Sequence, residues 1–125
     1  MADAPGVSPG ASDGRNSPVA GVEHSDAGVV VRLAGELDLY NAEDVRGALL
    51  ECCAEGPGRL VVDLSEVTFI DSTALGVLIE ARSRMTDRRA FMLASPGLET
   101  RRALEISGLD RHFNIHASVD DALAS

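Results

Sequence analysis

The fold is decided by the stretch RLVVDLSEVTFIDSTALGVLIEA, residues 59–81. Its first part, residues 59–64, is a short and nearly continuous apolar run, which is typical of a central strand covered by helices. From residue 72 to residue 86, apolar residues recur every three or four positions, which indicates an amphipathic helix. The apolar residues are Ala74, Val77, Leu78, Ala81 and Met85. Because residues 90–94 then read as another strand, the stretch predicts a βαβ unit with a helical crossover.

Before this unit, the chain predicts two strands and one helix. Residues 19–24 predict a short edge strand and residues 27–37 a stronger strand rich in β-branched residues, and the two pair around Ser25 and Asp26. Residues 40–55 predict an amphipathic helix that ends at a Gly-Pro-Gly sequence. Its apolar face consists of Ala42, Val45, Leu49 and Cys52.

After the unit, residues 97–107 predict a third helix that ends at Gly108, with Thr100, Ala103 and Leu104 facing inward. Residues 112–116 predict a last short strand, and Ser118 caps a final helical turn or two. The expected fold is α/β, with a mixed central sheet, helices mainly on one side and the order ββαβαβαβα. Function is expected at the loops that follow the carboxyl ends of the strands.

Length and composition indicate one domain preceded by a tail. The chain has 125 residues, 45% of them hydrophobic, which suits a single core. Residues 1–17 show no apolar periodicity and predict a disordered tail, so the domain is expected to span residues 18–125. Only 3% of residues are aromatic, and we expect Phe69, Phe91 and Phe113 to be the large pieces of the core.

Charge and residue usage exclude several classes of function. The formal net charge is -9 and no Lys occurs, which disfavours nucleic acid and anionic membranes as partners and removes the Lys of a P-loop or of a phosphoaspartate receiver. No leader peptide and no apolar run of roughly 18 residues is present, so we expect a soluble cytoplasmic protein. The adjacent Cys52 and Cys53 suit neither a disulfide nor a zinc site and are predicted to be packing thiols.

Ser72 lies where the apolar approach meets the predicted helix, in the sequence Asp71-Ser72-Thr73. Ser and Asp satisfy the free amide groups of a first helical turn, so one interpretation is simply a well-capped helix. The same position suits a phosphate, because a helix N-terminus favours negative charge. A phosphoserine there would change a small exposed patch beside Asp71 and so act as a binding switch.

Three segments resemble the STAS domains, and among them the stand-alone anti-sigma factor antagonists of bacteria. The segments are LAGELDLYNAEDVR, VVDLSEVTFIDSTALGVL and RRALEISGLDRHF, at residues 33–46, 61–78 and 101–113. The resemblance covers roughly residues 22–124, and the middle segment is the most specific. One departure is Ala74, where many members have Gly, since a Cβ favours the helix and alters how closely a partner can approach.

The resemblance implies a switch that is a substrate and not an enzyme. In the family, the Ser that corresponds to Ser72 is phosphorylated by an anti-sigma factor that is an ATP-dependent serine kinase. The unphosphorylated form binds that kinase and frees its sigma factor. The phosphorylated form is released, and a PP2C-type phosphatase returns it to the unphosphorylated form. The implied partner-binding residues are Asp38, Asp71, Ser72, Thr73 and Gly76. The resemblance implies no cofactor and no metal, and we expect a monomer or weak dimer.

Other interpretations of the same residues are weaker. A hydrolase needs a base beside its nucleophile, and no G-x-S-x-G turn surrounds Ser72. The histidines and several carboxylates are candidates for a metal or acid–base site, but we interpret the carboxylates as helix caps and solvated partner contacts. The histidines are His24, His112 and His116, and the carboxylates are Glu36, Asp38, Asp63 and Asp71. A basic stretch at the end of the second helix is interpreted as a solvated face rather than a docking site; its members are Arg82, Arg84, Arg88 and Arg89. The main alternative is a STAS scaffold, in a stress-sensing or transport complex, that binds without phosphorylation.

Overall fold

A computed structural model describes residues 17–125 of the chain. The strands are β1 (Val19–Ser25), β2 (Gly28–Leu37), β3 (Leu60–Ile70), β4 (Phe91–Ala94) and β5 (Asn114–His116). The helices are α1 (Ala42–Ala54), α2 (Ser72–Ser83), α3 (Leu98–Ser107) and α4 (Val119–Ala124), with 3₁₀ turns at Arg88–Ala90 and Leu109–Arg111. The predicted order of strands and helices is confirmed. The predicted tail lies outside the described residues except for Ser17, and it stays a prediction.

The five strands form one mixed sheet in the order β1-β2-β3-β4-β5. β1 runs antiparallel to β2 and pairs with it from Ser25 opposite Gly28 onward, as predicted, and the other neighbouring strands are parallel. The carboxyl ends of β2, β3 and β4 therefore lie at one edge, together with the first residues of α1, α2 and α3. We call this the carboxyl edge. The start of β1 reaches it too, because the Ala34 amide donates to the Pro18 carbonyl at 2.9 Å.

The core lies mainly on one face of the sheet. Alternate residues of β2, β3 and β4 pack there under α1, α2 and α3: Val29, Val31, Leu33, Leu60, Val62, Leu64, Phe91 and Leu93. The opposite face holds a smaller cluster under α4, formed by Val30, Val61, Met92, Ala94 and Ala122. The period of two along each strand thus supplies both clusters, and three of the four helices lie on one side.

β3 differs from the prediction in length. The predicted strand stops at residue 64, but β3 has 11 residues and runs to Ile70. Its pairing with β2 shifts register twice, and each shift inserts an extra residue that breaks the alternation of inward and outward side chains. The predicted core position of Phe69 is wrong for this reason, since 48% of Phe69 is exposed beside the second shift.

The last strand is also shorter than predicted. Residues 112–116 were expected to form it, but β5 begins only at Asn114, because His112 ends the 3₁₀ turn Leu109–Arg111. Gly108 ends α3 at φ 78°, as expected for a C-terminal glycine. The Ser118 hydroxyl accepts from the Asp121 amide at 3.0 Å and caps α4 as predicted. Within residues 17–125, no helix combines the length and hydropathy that crossing a bilayer requires.

Candidate functional site

Asp71 joins the end of β3 to the start of α2. Its backbone is extended, with φ -100° and ψ 178°, and its amide donates to the Leu37 carbonyl at 3.0 Å. Its side chain then turns toward the helix, where Oδ1 accepts from the Ala74 amide at 2.9 Å. This is an N-cap of the usual kind, which satisfies one of the free amide groups of the first turn. The capping function in the sequence Asp-Ser-Thr therefore belongs to Asp71.

The same carboxylate also holds the loop between β2 and α1. The Leu39 amide donates to Asp71 Oδ2 at 3.1 Å, across 32 positions of sequence. One side chain thus binds two segments that enter the carboxyl edge from neighbouring strands. The position of α2 is coupled to the position of the loop through this carboxylate.

The β2–α1 loop is shaped by its own polar side chains. Asn41 Oδ1 accepts from the Asp38 amide at 3.0 Å, and Asn41 Nδ2 donates to the Glu36 carbonyl at 2.8 Å. The Asp38 carboxylate accepts from the Tyr40 amide at 3.0 Å. The Asp38 side chain is half-buried, and its carboxylate helps to hold the turn. The result is a tight turn that directs Leu39 and Tyr40 outward, where 61% and 82% of them are exposed.

Ser72 is the first residue of α2, as the sequence predicts, and its side chain is exposed. Among the described residues, its hydroxyl takes part in no hydrogen bond. Thr73 and Gly76 are exposed as well, and Gly76 lies nearly above Ser72 because four residues make about one helical turn. The structure therefore brings Asp38, Asp71, Ser72, Thr73 and Gly76 together at one edge.

Large apolar side chains are exposed around Ser72, and sequence reasoning did not identify them as part of the site. The residues are Leu39, Tyr40, Phe69 and Leu98, of which 61%, 82%, 48% and 71% are exposed. Each follows or ends a strand at the carboxyl edge, and we call the four together the apolar ring. Exposed apolar clusters rimmed by polar groups are typical of protein interaction sites.

An ion pair fixes α1 against α2. Arg46 Nε lies 2.8 Å from Glu80 Oε1, and Arg46 Nη2 lies 2.9 Å from Glu80 Oε2. The hydrogen bond from Arg46 lowers the pKa of Glu80 below its ordinary value of 4.5, with a further contribution from the nearby positive charges. The same pair raises the pKa of Arg46. This ion pair therefore links the two helices that begin at the carboxyl edge.

The remaining candidates lie elsewhere. Asp63 is within β3, where its carboxylate accepts from the Ser65 amide at 3.0 Å. His24 contacts Glu55 at 2.9 Å, at the C-terminal end of α1. Residues 17–125 contain no group of three His, Cys, Asp or Glu side chains that could hold a metal ion. Burial raises the pKa of the Cys52 and Cys53 thiols, so both are protonated packing groups as predicted.

The fold and the capped helix at its carboxyl edge define the class of protein. The STAS domain family matches residues 20–122, and the chain belongs to this family. It is similar to the anti-sigma-F factor antagonist RsfB of Mycobacterium tuberculosis, with 34% identity over 94 residues, or 75% of this chain and 77% of the relative. It is 31% identical to the anti-sigma-B factor antagonist of Bacillus subtilis over 98 residues, or 77% of this chain and 88% of the relative.

A solved structure supports the same assignment. The crystal structure of an anti-sigma factor antagonist from Mycobacterium paratuberculosis matches this chain with a TM-score of 0.77 and 34% sequence identity. The match covers 82% of this chain and 88% of that chain. The predicted family and fold are thereby confirmed.

Proposed function

We propose that the protein is an anti-sigma factor antagonist that is switched by phosphorylation of Ser72. The unphosphorylated form binds an anti-sigma factor that is also a serine kinase, and the sigma factor is released. Phosphorylation of Ser72 by that kinase ends the binding, and a PP2C-type phosphatase restores it. In keeping with relatives named as antagonists of anti-sigma factors, the chain acts as a binding protein and a kinase substrate, not as an enzyme.

The observation that carries the proposal is the free hydroxyl of Ser72. The N-cap of α2 is made by Asp71, at 2.9 Å from the Ala74 amide, so Ser72 is not needed to begin the helix. Its side chain is exposed at the first helical position. A kinase can therefore transfer a phosphate to it without breaking a hydrogen bond among the described residues, and the folded domain remains intact.

The surroundings of Ser72 explain why a phosphate would change binding. A phosphoserine adds about -1.5 to -2 charges, and the N-terminal end of α2 tolerates them. The same charge would lie beside the Asp71 and Asp38 carboxylates and among the apolar ring. A partner that covers the ring must remove water from everything beneath it, and burying an unpaired charge is costly. Phosphorylation therefore opposes docking more than it opposes folding.

The test is a set of affinity captures with defined variants. Wild type, Ser72→Ala and Ser72→Asp serve as baits in lysate of the source cell, and Thr86→Asp is the matched control. Thr86 is also an exposed hydroxyl residue, but it follows the other end of α2. We expect wild type, Ser72→Ala and Thr86→Asp to retain an anti-sigma factor that Ser72→Asp loses. All four baits should melt at similar temperatures, because each change is at the surface.

A phosphorylation assay then identifies the acceptor. The captured anti-sigma factor is purified and incubated with ATP labelled at the γ-phosphate and with each bait, and Thr73→Ala is added as a further variant. Label should enter wild type and Thr73→Ala but not Ser72→Ala. If Ser72→Asp binds as tightly as wild type and no label is incorporated, the switch is wrong, and the STAS scaffold that binds without phosphorylation becomes the better account.

A further inference from the structure

A groove lies beside α2, on the side of the helices. Five side chains from α2 and from the segment around the 3₁₀ turn Leu109–Arg111 line it, and its volume is about 280 Å³: Ile79, Arg82, Leu109, His112 and Phe113. Phe113 is buried and forms an apolar floor with Leu109, whereas 45% of Ile79 is exposed at the wall. Arg82 and His112 place a guanidinium and an imidazole at the rim.

The groove lies on the same face of α2 as Ser72. Ser72, Gly76 and Ile79 follow one another at intervals of four and three residues, and all three are exposed. In an α-helix this spacing puts Ile79 about 20° around the axis from Ser72 and about 10 Å along it. Gly76 lies between them, and a Cβ added there would meet no atom within 4 Å. A flat strip of helix surface thus connects the apolar ring with the groove.

The rim of the groove is basic, although the chain carries a formal net charge of -9. Arg46, Arg84, Arg89 and Arg102 each have a carboxylate within 4.0 Å. Arg82, like Arg88, has no carboxylate this close within residues 17–125. An apolar floor beside a guanidinium with no carboxylate partner there is complementary to an apolar side chain that is flanked by an acidic one.

The size of the groove limits what can occupy it. A cavity of about 150 Å³ accommodates benzene, so 280 Å³ is enough for one large apolar side chain. Small, well-packed anchors of this type often provide much of the binding energy of a protein interface.

We propose that this groove is a second contact for the partner that docks at Ser72, which inserts one apolar side chain into it and places an adjacent carboxylate against Arg82. The inference rests on the proposed function and adds to it the chemistry of a partner segment. Docking at the groove is independent of the phosphate, so it keeps the kinase on its substrate while the apolar ring and Ser72 engage.

The test compares two charge reversals in the full chain. Arg82→Glu removes the basic rim, and Arg88→Glu is the control, since Arg88 likewise has no carboxylate within 4.0 Å among the described residues. Arg82 is half-buried and Arg88 is exposed. Both variants have the same net charge. With the purified anti-sigma factor in a calorimeter, we expect Arg82→Glu to weaken binding at least about tenfold and Arg88→Glu to stay within about twofold. Ile79→Ser tests the apolar anchor and should weaken binding about fivefold.

Kinetics supply a second measurement. A contact that holds the partner equally before and during phosphoryl transfer should change KM and leave kcat unchanged, so Arg82→Glu should raise KM for phosphorylation of Ser72. If wild type binds the partner and both Arg82→Glu and Ile79→Ser bind equally well, the inference is overturned while the proposed function stands. If wild type itself retains no anti-sigma factor, both are overturned.

Discussion

The Leu39 amide donates a hydrogen bond to the carboxylate of Asp71 at 3.1 Å. The other oxygen of that carboxylate caps α2 at Ala74. A residue that looks like an ordinary helix cap thus also sets the position of the loop that presents Leu39 and Tyr40. The surface around Ser72 is therefore assembled before any partner arrives, which lowers the entropic cost of docking.

The first prediction concerns this double role of Asp71. Asp71→Ala removes the cap and the bond to Leu39, and the free energy of unfolding should fall by about 1–2 kcal/mol, as for other N-caps. Exchange of the Leu39 amide hydrogen should become faster, which hydrogen exchange by NMR measures. Ser118→Ala removes the cap of α4 on the opposite face and should leave Leu39 unchanged. Equal protection of Leu39 in wild type and Asp71→Ala would contradict the coupling.

The second prediction separates stability from binding at Gly76. Gly76 is inside α2, and an added Cβ meets nothing within 4 Å, so Gly76→Ala should raise the free energy of unfolding by about 0.5–1 kcal/mol. The same change should weaken binding of the anti-sigma factor, because the partner must cross this flat strip. Gly47→Ala is the matched control, since Gly47 is inside α1 and also has open space around its Cα. It should stabilise the fold equally and leave binding unchanged.

The third prediction concerns pH and the pair of Arg46 and Glu80. The pKa of Glu80 is lowered in the folded state, so its contribution to stability is present above the ordinary carboxyl pKa and is lost as the pH falls through the lowered value. A double-mutant cycle with Arg46→Ala and Glu80→Ala should therefore give favourable coupling at pH 7, and the coupling should decline as the pH is lowered below the ordinary carboxyl pKa. A cycle on Arg102 and Glu99, which are 60% and 62% exposed, should give less coupling at pH 7.

The fourth prediction concerns Thr100. Its side chain is fully buried on the inner face of α3, and its hydroxyl oxygen has no hydrogen-bond partner among the described residues. Thr100→Val keeps the shape and removes the unsatisfied group, so the free energy of unfolding in urea should rise by about 1 kcal/mol. Thr100→Ser keeps the hydroxyl and loses the methyl group, and it should be destabilising. A loss of stability in Thr100→Val would mean that the hydroxyl is satisfied in solution.

The fifth prediction concerns the boundary of the domain. β1 begins at Val19, and the carbonyl of the preceding Pro18 accepts a hydrogen bond from the Ala34 amide of β2. A chain that starts at Ser17 keeps all of these contacts, so its melting temperature should match that of the full chain. A clear drop would show that residues 1–16 contribute to the folded domain.

Local pattern was enough to predict most of the fold. The start of α2 follows from Asp-Ser-Thr ahead of an apolar stripe, and the end of α3 follows from Gly108, which adopts φ 78°. These features depend on a few neighbouring residues, which local propensity describes well. The second half of β3 was missed because Ser65 and Glu66 interrupt its apolar run, and its pairing with β2 is irregular.

The site was predictable only in part, for a related reason. Ser72 and Asp71 stand out in the sequence, but the bond from Leu39 to Asp71 spans 32 positions and depends on the neighbouring places of β2 and β3 in the sheet. Whether Leu39, Tyr40 and Leu98 are exposed likewise depends on how the neighbouring helices pack on the sheet. Burial is a property of the assembled layers, so apolar residues at the ends of strands cannot be assigned to core or surface by pattern alone.

The antiparallel pairing of β1 has a practical consequence. It brings the start of β1 to the carboxyl edge, whereas Ser125 lies at the opposite edge, where its main-chain oxygen accepts from Arg59 Nε at 3.1 Å. An affinity tag or fluorescent protein fused ahead of Ser17 would emerge toward the same end of the sheet as Ser72. A fusion after Ser125 would point away from it, so capture and imaging experiments on this protein should carry their label at the C-terminal end.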